Sequence, residues 1–152
     1  TPEPTSTPIV TSPPAPVPIP FSLEDALDNA ALSWITGGVA NWLGDASTAY
    51  YNNSAAQSGV ISHDQNSWLQ TTVSGPGTVS FYWNTSSEEY FDFLEFYIDG
   101  IGQDRISGNA DWQQRSYQIS SGSHRLKWRY VKDGSTSFGS DCGWVDKIEF
   151  LS

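Results

Sequence analysis

Apolar and polar positions alternate along the second half of the chain. Val79, Phe81 and Trp83 fall on one side of Val79-Ser80-Phe81-Tyr82-Trp83, and Leu94, Phe96 and Ile98 on one side of the next run. Leu126, Trp128 and Tyr130 are interleaved with Lys127 and Arg129, and Trp144, Asp146, Ile148 and Phe150 share a phase near the end. Side chains of a strand point to opposite faces in turn, so a period of two implies one packed face and one wet face. The pattern predicts antiparallel sheet buried on a single side.

The same reading predicts strands over 32–35, 58–62, 67–73, 78–83, 92–99, 101–106, 112–119, 124–131 and 142–151. Ser22 to Leu27 reads as a short capped turn or a first edge strand. Loops are expected over 41–53, 63–66, 84–90 and 132–141. Ser74-Gly75-Pro76-Gly77 and Ser121-Gly122-Ser123 mark turns, and Asp99-Gly100 is a hairpin signal because that pair tolerates positive φ. Many short strands, regular turns and almost no helix predict an all-β fold, an antiparallel β-sandwich of jelly-roll type, over residues 22–152. No internal repeat is evident.

Composition changes the picture at the N-terminus. Eight of the nine prolines lie in the first twenty residues. Proline fixes φ and removes a donor, so residues 1–21 are expected to form an extended Pro/Thr-rich linker. Such a spacer, in a chain without methionine, is expected to join the sandwich to an upstream catalytic domain of a secreted, extracellular protein. No apolar run approaches the roughly 20 residues of a membrane helix.

The net charge is −10, which speaks against nucleic acid and anionic membranes as partners. All seven Lys and Arg lie at or beyond Arg105. Cys142 is alone, so no internal disulfide forms, and it is expected to be a small buried hydrophobe. Trp, Tyr and Phe number seven each, more rings than a sandwich of this size needs inside. The excess must lie at the surface, where exposed rings usually contact something.

Ala26-Leu27-Asp28-Asn29, Ser58-Gly59-Val60-Ile61, Gly75-Pro76-Gly77-Thr78-Val79-Ser80-Phe81, Phe96-Tyr97-Ile98-Asp99-Gly100 and Gly143-Trp144-Val145-Asp146 carry a resemblance. Together they are similar to the non-catalytic jelly-roll modules of secreted bacterial proteins, of the MAM and cleaved-adhesin type. The resemblance implies a binding role, commonly toward carbohydrate, beside a hydrolase or protease. It also implies a calcium ion at one end of the sandwich.

Asp146 alternates onto the face of Trp144, Ile148 and Phe150, which puts a carboxylate toward the core. A buried carboxylate needs a partner. Arg115 is one, facing inward with Tyr117 and Ile119. Ca²⁺ is the other, with Asp28 as the first co-ligand and Asn29, Asp25 and Asp141 as further oxygens. Trp83, Trp128, Tyr130, Trp144, Phe81, Phe96 and Phe150 are expected in the core.

Trp42, Tyr50, Tyr51 and Tyr90 fall in loops and Trp112 at a strand end, so these rings are the candidate glycan-binding residues. Sugar rings present flat C–H faces that aromatic rings cover, while neighbouring Asn, Asp and Glu bond the hydroxyls. Arg125, Lys127 and Arg129 alternate on a wet face, either as a cross-strand charge ladder or as a site for an acidic polysaccharide.

Glu88, Glu89, Asp92 and Glu95 have no fixed separation, and His63 and His124 have no second ligand at zinc spacing. Neither a nucleophile elbow nor a phosphate loop is present. The expected function is a non-catalytic carbohydrate-binding module that targets an attached secreted enzyme to a polysaccharide. The alternative is a protein-binding adhesin or protease accessory domain.

Overall fold

The computed structural model describes residues 22–152, and the linker expected over 1–21 lies outside the described residues. In chain order the elements are a one-turn helix α1 (Leu23–Ala26) and strands β1 (Ile35–Gly38), β2 (Leu43–Asp45), β3 (Ala55–Gln57), β4 (Asn66–Ser86), β5 (Phe93–Ile98), β6 (Ile101–Ser107), β7 (Asn109–Val131) and β8 (Cys142–Leu151). Ser22 caps α1, its hydroxyl accepting from the Asp25 N–H at 3.1 Å.

β4 and β7 organise the whole. They pair antiparallel from Asn66↔Val131 to Ser86↔Asn109, with a break in register between Gly75 and Gly77. At that break the ribbon turns a corner. A Cβ on Gly75 would lie 1.8 Å from the Ser120 carbonyl oxygen, so the two backbones approach as only glycine permits.

The corner makes two layers out of one continuous sheet. The first half of β4 pairs with β1 and the second half of β7, which continues to β5 and β6. The second half of β4 pairs with the first half of β7 and with β8, which continues to β3 and β2. The inner faces meet where Phe81 packs at 4.8 Å on Phe96 and at 5.3 Å on Trp128 across the layers. This is the sandwich the alternation predicts.

Leu69, Val79, Phe81, Trp83, Leu94, Phe96, Leu126 and Trp128 fill the interior at 0 % exposure. Burial at roughly 25 cal/mol per Å² makes these side chains the main source of stability. The expected core rings Tyr130 and Trp144 are buried as well, and Phe150 packs against the core edge.

Three strand expectations are corrected. The runs 67–73 and 78–83 are one strand, as are 112–119 and 124–131, because glycines in a sheet can bend a ladder without ending it. Residues 58–62 form no strand, and short β2 and β3 lie nearby instead.

Candidate functional site

The site begins at an irregularity in β8. Val145 and Ile148 both face the core, although they are three residues apart. Lys147, with φ of 47°, absorbs the extra residue, and the β4–β8 register shifts between Ser80 and Tyr82. Such a bulge reverses the alternation. Asp146 is therefore opposite Tyr82 on the outer face of the second layer, which corrects the core-side placement expected from strict alternation.

Asp146 is nonetheless 0 % exposed, because the segment after β2 folds over it. Its Oδ2 accepts the N–H groups of Tyr50 at 2.9 Å and Tyr51 at 2.8 Å, and its Oδ1 accepts from Lys147 at 2.7 Å. Arg115 does not reach it. That guanidinium donates to Asp104 Oδ2 at 2.7 Å, so the Arg115–Asp146 pairing is corrected. A side chain alternating inward on an outer strand of a layer can still turn to a nearer carboxylate on β6.

Asp28 supplies the second carboxyl group. It follows α1 at φ 58°, and its Oδ1 accepts from Asn52 Nδ2 at 3.1 Å, while its Oδ2 is buried without a hydrogen-bond partner. Burial first, and then the neighbouring Asp28 carboxyl, push Asp146 up to about 7. A half-buried carboxyl with one buried, unpartnered oxygen beside a fully buried carboxyl is an oxygen-rich setting of the kind a hard divalent cation prefers. Glu24, Asp25, Asn29, Asn52 and Ser54 line the adjoining recess with further oxygens. The recess offers oxygen donors, the type that Ca²⁺ takes.

The loop that covers Asp146 also sets the rings. Because the Tyr50 and Tyr51 amides are fixed on Asp146, their side chains project over the outer face of the second layer. Tyr50 stacks on Tyr82 at 3.7 Å with planes 15° apart and meets Trp112 at 6.0 Å. Tyr51 lies under the Lys147 ammonium at 4.5 Å. Tyr50 and Tyr51 are 45 % and 48 % exposed. Beside them Thr48, Asn84, Ser86, Asn109, Asp111 and Trp144 line a shallow groove of ≈ 270 Å³.

Two of the expected ring residues thus come together, Tyr50 and Trp112, while Tyr51 lies apart under Lys147. Tyr82 joins them and was missed, although its phase opposite to Phe81 and Trp83 marked it as outward-facing. Trp42 is corrected: at 3 % exposure its ring belongs to the core cluster, and its backbone N–H donates to Thr36 Oγ1 at 2.7 Å. Tyr90 is 73 % exposed on the β4–β5 loop and takes no part in the ring cluster.

A second acidic group lies at the other loops. Glu88, Asp92 and Asp133 each offer an oxygen within 4.8 Å of the others. Burial and the charges of Asp133 and Asp92 raise Glu88. Here a cation is already built in: Lys132 Nζ donates to Asp141 at 2.6 Å and to Asp92 at 3.3 Å. Asp141 is therefore held at this end of the molecule rather than beside Asp28. Burial pushes the Cys142 thiol up to about 12, far from a nucleophile's range.

Neither a family model nor a curated protein matches the sequence. Solved structures do match in shape. The K3 cleaved adhesin domain of Lys-gingipain from Porphyromonas gingivalis aligns at TM-score 0.57 and 16 % identity, over 78 % of this chain and 91 % of that one. The C-terminal family 22 carbohydrate-binding module of Clostridium thermocellum Xyn10B aligns at TM-score 0.54 and 13 % identity, over 84 % and 90 %. The secreted serine protease VesC from Vibrio cholerae aligns at TM-score 0.58 and 12 % identity, over 72 % of this chain but only 24 % of its own. At these identities the likeness establishes the fold alone, an antiparallel jelly-roll β-sandwich.

Proposed function

We propose that this chain is a non-catalytic carbohydrate-binding module that holds an attached secreted enzyme near a polysaccharide. The reading rests on the ring surface of Tyr50, Tyr82 and Trp112 beside a shallow groove. Stacked and tilted rings offer apolar faces to sugar C–H groups, and the groove offers oxygens and amides to hydroxyls. A Pro-rich spacer sets the reach of the tether, which raises the local concentration of the partner domain. Affinity is expected in roughly the micromolar to millimolar range.

Asp28 and Asp146 hold a structural Ca²⁺ in this reading. The ion would neutralise two carboxylates that crowd one another and would lock the loop carrying Tyr50 and Tyr51.

Affinity electrophoresis through soluble polysaccharides tests the proposal. At least one glycan should retard the chain, and Tyr50→Ala or Trp112→Ala should abolish the retardation while the variant stays folded at the temperature of the gel. Capture by a matrix protein in the absence of any glycan effect would instead favour the adhesin reading. Reducing ends released from a bound polysaccharide would end the non-catalytic reading.

A further inference from the structure

The opposite outer face, on the first layer, is chemically different. A recess of ≈ 230 Å³ is lined by Gln70, Tyr97, Gly100, Arg125, Lys127 and Arg129. Gln70, Lys127 and Tyr97 form one row across β4, β7 and β5. Arg125 and Arg129 flank Lys127 on the same face of β7, each roughly 7 Å along the strand.

One wall is fixed. Arg129 Nε donates to Glu95 Oε1 at 2.9 Å and its Nη2 to the Tyr97 hydroxyl at 2.8 Å, while Tyr97 donates to Glu95 Oε1 at 2.9 Å. The floor cations are not held in ion pairs. Among the described residues, the Arg125 and Lys127 side chains form no salt bridge within 4.0 Å, although Asp99 Oδ1 accepts from the Arg125 backbone N–H at 2.8 Å. Lys127 rests instead over the Trp68 ring at 4.8 Å, and that ring lies across Gly37. In a chain of net charge −10, the recess lining carries three cations and no carboxylate; the nearby Glu95 is taken up by Arg129, and Asp99 by His124 and the Arg125 N–H.

We propose that this recess is a second binding site, for the carboxylate-bearing sugars of a polyuronate chain. A guanidinium matches a carboxylate in a two-point fork, and an ammonium adds a compact charge beside it. Gln70 and the Gly100 backbone supply neutral partners for hydroxyls between the charges. That mixture suits a sugar acid better than a polyphosphate. Duplex DNA carries a charge per roughly 1.7 Å, and the acidic remainder of the protein repels such a density. The site needs no residue of the ring surface on the other layer and rests on the glycan reading only for the class of polymer.

The test compares polygalacturonate with its fully methyl-esterified form, using the full chain. The free acid should retard the protein and the ester should not, with affinity falling as salt rises. Arg125→Gln with Lys127→Gln should weaken the free-acid complex about tenfold or more, whereas Tyr50→Ala should leave it unchanged. Equal binding of acid and ester overturns the proposal, and needs no variant that must fold. So does a double variant that binds as the parent does, or a loss caused equally by Tyr50→Ala. Single-stranded DNA binding as tightly as polygalacturonate at the same salt would overturn the assignment to sugar acids. Failure of all these with neutral-glycan binding intact would leave the ring surface standing and remove only this site.

Discussion

Asp28 and Asp146 turn their carboxyl groups toward each other, one with a buried oxygen that nothing donates to, the other anchoring two backbone amides of the covering loop. A cation between them should therefore stabilise the fold and the loop at once. Differential scanning in Ca²⁺ and in EDTA measures this. At a hundredfold excess over Kd the gain is about 2.7 kcal/mol. Asp146→Asn should abolish the dependence, and identical melting curves in Ca²⁺ and EDTA would remove the ion from the account.

The Lys132 ammonium is fully buried between Asp92 and Asp141, and Ser137 Oγ accepts from it at 2.9 Å. Removing one member of a buried pair leaves an uncompensated charge, at a cost of roughly 3–5 kcal/mol. Asp92→Ala should lower urea stability by that much. A loss below about 1 kcal/mol would mean that water or another group replaces it.

His124 Nδ1 lies 2.6 Å from Asp99 Oδ2. The hydrogen bond that His124 donates to Asp99 raises His124 above 6.5, and the same bond lowers Asp99 below 3.8. The histidine's contribution is complete below its ordinary value and is lost as pH rises through the raised one. The aspartate's is present above its ordinary value and is lost as pH falls through the lowered one. Tm should thus decline modestly as pH rises above about 6.5, and His124→Gln should flatten that decline. An unchanged slope in the variant would dismiss the pair as a contributor.

Two glycines at the corner should fail for different reasons. A methyl group on Gly75 meets a carbonyl oxygen at 1.8 Å, whereas one on Gly122 meets nothing within 4 Å but must adopt φ of 99°. Gly122→Ala should cost about 1 kcal/mol, the usual penalty for that backbone region. Gly75→Ala should cost more, because backbone must move. Chemical denaturation of both variants gives the order, and a reversed order would contradict the close approach.

The sandwich was legible because Phe81, Trp83, Phe96, Leu126 and Trp128 keep strict period two, and each is fully buried. The corner was not, since Gly75-Pro76-Gly77 reads as a turn that ends a strand, while the pairing continues on both sides of it. Nor was the bulge at Lys147, a single inserted residue that moves Asp146 to the other face. Asp28 and Asp146 could still be picked out by residue type, because carboxylates near apolar runs require a partner. Trp42 could not be sorted from Tyr50 by sequence: both sit among small polar residues, and only the tertiary packing places one of them in the core. Tyr82 carried its signal in plain alternation.

Because β4 and β7 each pass through both layers, neither layer can come apart while the other stays folded. Hydrogen exchange should report one common opening free energy for the Leu69 and Phe81 amides, although these residues belong to opposite layers. A molecule with two outward faces would then have a single melting event, and anything that tightens one face would slow the loss of the other.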